Sequence, residues 1–203
     1  MPNHCENRLS IRGPQALRLE LAKTIRNESE KNGHIDFDKI IPYPEMYKKL
    51  DDEMRTFRKK TDSFLAFRCP THGLVAKARQ GNATGKLLCL ECDSEVTQAK
   101  DGFNSGGYEW RCSNWGTKWN ASYQGEPNHG RVVSNYWFDT AWGPPEPIVR
   151  KLSFDWPMLE FRLDYAGEVD NPGGFICQKG RVTEEWAGKY RPKQKKKPRR
   201  QRG

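Results

Sequence analysis

The sequence predicts an α+β domain interrupted by a small cysteine-rich insertion, and three observations carry that reading. Apolar and polar side chains alternate, with the period of a half-buried strand, around Leu9 and Ile11 and again from Leu159 to Tyr165. Between these lie segments in which apolar residues return at every third or fourth position, the period of an amphipathic helix. Residues 64–100 break both patterns with short apolar pieces, glycine turns and paired cysteine or histidine residues.

Taken in order, ENRLSIRG forms the first strand and Gly13-Pro14 ends it. Pro14 suits the first turn of a helix, whose Leu17, Leu21, Ala22 and Ile25 share one face before Asn32-Gly33 marks a stop. IDFDKII at 35–41 alternates through Ile35 and Phe37 and predicts a second strand, closed by Pro42-Tyr43-Pro44. Tyr43, Tyr47, Leu50, Met54 and Phe57 then predict a helix with a charged outer face. Beyond the insertion, Gly106-Gly107 leads into a short helix that Gly116 caps, and strands are predicted at 121–124 and 132–139. Pro144-Pro145-Glu146 opens a helix through Ile148, Val149 and Leu152, and Trp156-Pro157 ends it. Leu159, Phe161, Leu163 and Tyr165 alternate strictly with Glu160, Arg162 and Asp164, so one face of that sheet must be solvated. After Asn171-Pro172-Gly173-Gly174, residues 175–182 add an edge strand. The expected organisation is a discontinuous domain of 1–63 and 101–188, an insertion of 64–100, and a tail of 189–203.

The formal charge of +9 belongs to that tail. It holds nine of the 35 Lys and Arg residues and no acid, so the rest of the chain has 26 basic and 26 acidic groups and is formally neutral. High charge of one sign, two prolines and almost no apolar side chains predict disorder. Lys193, Lys195, Lys196, Lys197, Arg199, Arg200 and Arg202 are its candidate nucleic-acid contacts, since such a segment neutralises several phosphates. No stretch reaches the roughly 18–20 apolar residues of a membrane span, and MPNHCENRLS lacks the apolar core of a secretory signal. The expectation is a soluble, cytoplasmic protein.

Six cysteines without an export signal point to metal rather than to disulfides. Cys69-Pro-Thr-His72 and Cys89-Leu-Glu-Cys92 each place two ligands across a tight turn, and 16 residues separate the pairs. Two such turns complete a tetrahedral shell of three thiolates and one imidazole, a donor set that favours zinc. The alternation of Leu74, Ala76 and Ala78, the turn at 81–85 and the restart at Leu87 describe a zinc ribbon. A module of this size cannot bury enough apolar surface to fold alone, so the zinc is structural. A redox dithiol at Cys89 and Cys92 is the alternative, but it leaves Cys69 and His72 unexplained. Cys5, Cys112 and Cys177 read as small buried hydrophobes.

Trp110, Trp115, Trp119, Trp137 and Trp142 fall within 33 residues. Core packing is the commoner reason for such clustering, and stacking of nucleobases is the other. MPNHCENRLSIRG, FDKIIPYPE, WRCSNWGTKWNA and YWFDTAWGPPEPIVRKLSFDWPMLEFRLDYAGE together resemble the YubB-like family found in phages and plasmids. Its motif positions here are Asn114, Trp115, Gly116, Thr117, Lys118, Trp119 and Asn120, with Asp139 and Trp142. The resemblance implies a ferredoxin-like βαβ-βαβ sandwich, with the zinc ribbon and the basic tail as additions, and it transfers no activity.

No pair among Asp139, Glu146 and Asp164 has a spacing that sets two groups across a substrate, and neither Gly-Gly pair heads a phosphate loop. Binding is therefore expected over catalysis. The expected partners are nucleic acid or a ribonucleoprotein, through ribbon and tail, or a host protein onto which a phage or plasmid accessory protein docks.

Overall fold

Period-two alternation at the N-terminus builds β1 (His4–Arg12), which buries Cys5, Asn7, Leu9 and Ile11 and turns Glu6, Arg8 and Arg12 outward. Pro14 precedes α1 (Gln15–Thr24), and the one-turn helix α2 (Phe37–Ile40) follows. Next come α3 (Glu45–Thr61) and the short strands β2 (Phe67–Cys69), β3 (Gly73–Val75), β4 (Ala78–Gln80), β5 (Leu87–Cys89) and β6 (Thr97–Gln98). A single 3-10 turn (Phe103–Ser105) leads to α4 (Gly107–Trp115). The chain continues through β7 (Asn128–His129), β8 (Val133–Ala141), α5 (Glu146–Asp155), β9 (Glu160–Gly167), β10 (Gly173–Gln178) and β11 (Arg181–Ala187). This computed structural model describes residues 4–28, 33–81, 85–167 and 172–188. The basic tail of 189–203 lies outside the described residues.

Two compact units divide the chain, Met1–Ile41 with Trp115–Gly203 and, between them in sequence, Pro42–Asn114. The second takes in α3 as well as the cysteine-rich 64–100. The first is built on a six-stranded antiparallel sheet of order β11-β10-β9-β1-β8-β7. Central β1 pairs with β8 and β9 over its length, while α5 joins β8 to β9 and packs against β9 and β10. This is a split β-α-β arrangement. Leu9, Ile11, Phe138, Phe161, Leu163 and Phe175 fill the covered side with Leu21, Ile148 and Leu152. On the other side Arg8, Arg12, Asn135, Trp137, Arg162 and Asp164 line a shallow groove of about 770 Å³.

Four expectations need correction. The first helix ends at Thr24, well before Asn32-Gly33, because the Asn27 N–H turns to the Gly33 carbonyl and the Ile25 carbonyl accepts from the Asp36 N–H. Residues 35–41 do not form a strand. Asp36 accepts from the Asp38 N–H and caps α2, while the Gln124 amide bonds both main-chain groups of Ile35, at 2.7 and 2.9 Å. A side chain thus supplies the pairing a neighbouring strand would give, which is why the apolar alternation looked like one. Residues 121–124 lack a regular strand, but Ser122 exchanges two main-chain hydrogen bonds with Asp139 at the edge of β8. The single edge strand expected at 175–182 is a hairpin, β10–β11, turned by Lys179 and Gly180 at φ 51° and 77°.

The unit Pro42–Asn114 has little interior. Met54 is the buried residue of α3. Asp51 accepts from the Phe103 N–H at 3.0 Å, and Arg68 and Glu53 form a two-pronged pair at 3.1 and 2.8 Å.

Arg18 of α1 went unnoticed in sequence because an arginine on a helix normally belongs to the solvated face. It is fully buried. Its guanidinium donates to the carbonyls of Gly13, Gly130 and Arg131 and to the Ser134 hydroxyl, at 3.1, 3.1, 2.9 and 2.6 Å, with no carboxylate in the set. Arg18→Ala strands those acceptors, and urea unfolding should show a loss of about 3 kcal/mol or more. His129 lies beside this charge. Burial, then the Arg18 charge, lowers its affinity for a proton below the ordinary value of 6.5. The fold therefore favours the neutral ring, and this group's contribution to stability is complete above pH 6.5 and lost as the pH falls below it. The urea midpoint should drop between about pH 7 and 5, and His129→Gln should flatten that drop.

Candidate metal centre and the tryptophan motif

Cys69 is the last residue of β2, and β3 begins at Gly73, with Cys69 opposite Gly73 in register. The turn between them carries His72. Cys89 is likewise the last residue of β5, and the Cys89 main chain bonds to Ser94 and Asp93 across the turn that carries Cys92. In both turns the residue after the second ligand is left-handed: Gly73 at φ 71° and Asp93 at φ 58°. That conformation reverses the chain within four residues. Glycine adopts it without steric cost, and aspartate is among the residues that tolerate it. Arg79 holds Asp93 at 2.6 Å.

The turns face one another. One ligand atom from each of Cys69, His72, Cys89 and Cys92 lies within 4.8 Å of every other. Cys69 Sγ is 3.5 Å from Cys92 Sγ and 3.7 Å from His72 Nδ1, and Cys89 Sγ is 3.6 Å from the same nitrogen. His72 Nε2 points away, 3.5 Å from the Glu91 carboxylate. Glu91, inside the second turn, faces that outer nitrogen, the position from which a carboxylate orients a ligating ring. The hydroxyl and main-chain N–H of Ser94 lower the Cys92 thiol to about 6. The His72 N–H donates to Cys69 Sγ at 3.4 Å. Such groups stabilise thiolate, the form that binds metal. The cluster can hold a metal ion.

The buried residues of the cluster around these donors are Cys69, Cys89 and Val96, with Phe67, Val75, Ala78 and Cys92 packed against them. Among the other cysteines, Cys5 and Cys177 are buried and Cys112 is half-buried, and all six are free thiols. Burial pushes the Cys177 thiol up to about 11.

The tryptophan motif separates into interior and surface. Trp115 is 3% exposed; its indole N–H donates to the Ile41 carbonyl at 2.8 Å and its ring meets Phe37 edge-on. Gly116 follows at φ 78°, where a Cβ would stand 2.9 Å from Pro147 Cδ. Thr117 is buried, and its hydroxyl both donates to and accepts from the Ala141 main chain at 3.0 Å. Asn120 accepts from the Phe37 N–H at 2.9 Å and donates to Asp36 at 2.6 Å. Asn114 bonds back to the Trp110 carbonyl at 2.8 Å. By contrast Trp119 and Trp142 are 40% and 47% exposed, with the Lys118 ammonium 4.4 and 3.9 Å from their ring centres. Asp139 stands apart from these, 3.5 Å from His4, and Asp164 pairs with Arg162 at 2.6 Å. The tail cations Lys193, Lys195, Lys196, Lys197, Arg199, Arg200 and Arg202 lie outside the described residues.

Residues 114–197 match a family model described as the ferredoxin-like domain in Api92-like protein. Among solved structures, the protein Api92 from Yersinia pseudotuberculosis is similar over 95% of this chain and 100% of that one, with 11% sequence identity and a TM-score of 0.50. At that identity the likeness shows fold alone: a ferredoxin-like domain of mixed α and β structure. Both findings name Api92-like proteins where the motif resemblance named the YubB-like group. No sequence among the curated proteins matches the chain. Among the described residues no helix is long and apolar enough to cross a membrane.

Proposed function

We propose that Cys69, His72, Cys89 and Cys92 bind one zinc ion as a structural centre of zinc-ribbon type, in a non-enzymatic protein that contacts nucleic acid or a ribonucleoprotein through that ribbon and the basic tail. The geometry of the four donors carries the reading. Zinc with bonds of about 2.3 Å to sulfur and about 2.0 Å to nitrogen requires tetrahedral edges of about 3.8 Å between sulfurs and about 3.5 Å from sulfur to nitrogen. Here the Cys69–Cys92 edge is 3.5 Å, those from His72 Nδ1 to Cys89 and Cys69 are 3.6 and 3.7 Å, and every donor lies within 4.8 Å of every other. Four protein donors fill the shell and leave no position for a substrate, so the ion's work is folding. With so small an apolar cluster around it, ligation supplies most of the stability of these hairpins, on the order of 10 kcal/mol.

Nine tail charges on an otherwise neutral chain support electrostatic contact with phosphate. The motif resemblance supports an accessory role in a phage or plasmid. A second reading, docking onto a host protein, is favoured by the apolar side chains Phe64, 88% exposed, and Leu65 and Leu90, both more than half exposed.

Protein purified under reducing conditions should carry one equivalent of zinc by metal assay. Cys89→Ser should lose it and open residues 64–100 to protease, whereas metal-free wild-type protein with intact hairpins overturns the zinc assignment. Deleting residues 189–203 should weaken binding to mixed DNA and RNA at low salt. It should also flatten the log–log salt dependence, whose slope the nine charges can raise to about 8 on duplex. Unchanged binding would clear the tail of this role, and a stoichiometric protein partner recovered where neither form binds nucleic acid would favour the docking reading.

A further inference from the structure

We infer that Lys118, Trp119 and Trp142 form a contact for single-stranded nucleic acid, in which two bases stack on the indoles and a phosphate between them meets the Lys118 ammonium. The inference rests on the nucleic-acid reading above. It adds a site outside the ribbon and the tail, and a selectivity that a run of cations cannot supply.

The backbone shows that Trp142 is placed there against its own preference. Its φ is 73°, and the Gly143 N–H donates to the Ala141 carbonyl at 3.0 Å, closing a three-residue γ-turn of the strained hand. Glycine would take this position without cost, while a bulky side chain does not. The adjoining residues fix the strained turn. Thr117 bonds the Ala141 main chain in both directions, and Thr140 Oγ1 donates to the Gly143 carbonyl at 2.8 Å. The Thr117 bonds bring the 117–119 segment against the turn, and Asn120 anchors that segment at its far end to Phe37 and Asp36. Two exposed indoles and one cation are thus preset on a rigid support. A solvent-exposed cation–π contact contributes too little to explain why the strain is retained.

The chemistry selects the occupant. The Lys118 ammonium lies 4.4 and 3.9 Å from the two ring centres, and its charge repels a second cation, which disfavours a methylated-lysine or choline-like guest. Among the described residues no carboxylate is paired with Lys118, so its charge is available to an anion. An acidic peptide offers the anion without the flat surfaces. A duplex offers phosphates with its bases hidden. A single strand presents base, phosphate and base in succession, and its bases stack on aromatic side chains with little regard to sequence.

The test uses the full chain, with a short oligodeoxythymidine, an oligouridine of equal length and a DNA duplex as probes, read by fluorescence anisotropy. Trp119→Ala and Trp142→Gly should each weaken single-strand binding by about 5–100-fold, while duplex binding stays within about twofold and the melting temperature holds. Trp142→Gly removes the strained conformation, so it separates a binding role from a structural one; Trp119→Phe keeps a smaller stacking surface and should give an intermediate loss. Lys118→Gln should lower the single-strand salt slope by about 0.7. The two single strands report whether DNA or RNA is preferred. Equal losses on duplex and single strand, or none on either, overturn the inference and leave the tail-and-ribbon reading standing. So does a polyglutamate peptide that binds as tightly and is blocked by the same variants. A full chain that binds no nucleic acid at all overturns both.

Discussion

The hairpins of residues 67–98 are too short and too polar to hold one another by burial, and the convergence of four donor atoms is the constraint on which their arrangement depends. Strands of two or three residues contribute few ladder hydrogen bonds, and the apolar cluster comprises three buried residues. Cys69 and Cys89, each ending a strand, point their sulfurs at the same place, where the proposed zinc ion would tie the hairpins together. The left-handed residues Gly73 and Asp93, the Ser94 hydrogen bonds and the Glu91 carboxylate all act on that one point. Their parallel roles in the two turns make the centre a repeated device.

The unit that holds the large sheet is governed differently. There, burial of aliphatic and aromatic side chains between sheet and helices dominates, and several of the polar groups that enter the interior do so with specific partners. Arg18 bonds four neutral acceptors, Asn7 donates to Thr140 and to the Cys5 carbonyl at 2.8 Å, and Asn120 and Gln124 take the place of main-chain partners. Such networks add little net stability but penalise any alternative packing that breaks them.

Much of this was legible in the residues. The spacing of Cys69, His72, Cys89 and Cys92 picked out the four side chains that the structure brings together, because two tight turns are the shortest way to gather four such groups at one point. Strict alternation from Leu159 to Tyr165 located β9, whose register with β1 follows from its one buried face. Periodicity failed where side chains replaced backbone: the segment at Ile35 has the pattern of a strand but is paired by Gln124, 89 residues away. It also could not divide the tryptophans, since Trp115 and Trp119 sit four residues apart and only their surroundings set one in the core and the other at the surface. Arg18 was invisible for the same reason, since beyond the nearby Gly13 carbonyl its acceptors, Gly130, Arg131 and Ser134, lie more than a hundred residues further along the chain.

The two margins of the large sheet differ in a way that bears on self-association. Beyond β8 the chain offers a two-residue strand and an irregular stretch tied down at Ser122 and Gly125, which leaves no continuous ladder for another molecule to extend. At the opposite margin β11 presents seven residues, and Arg181, Glu184 and Glu185 distribute charge of both signs along them. A second molecule approaching that margin would have to strip water from those groups, so the protein resists fibre-like growth by geometry on one flank and by hydration on the other.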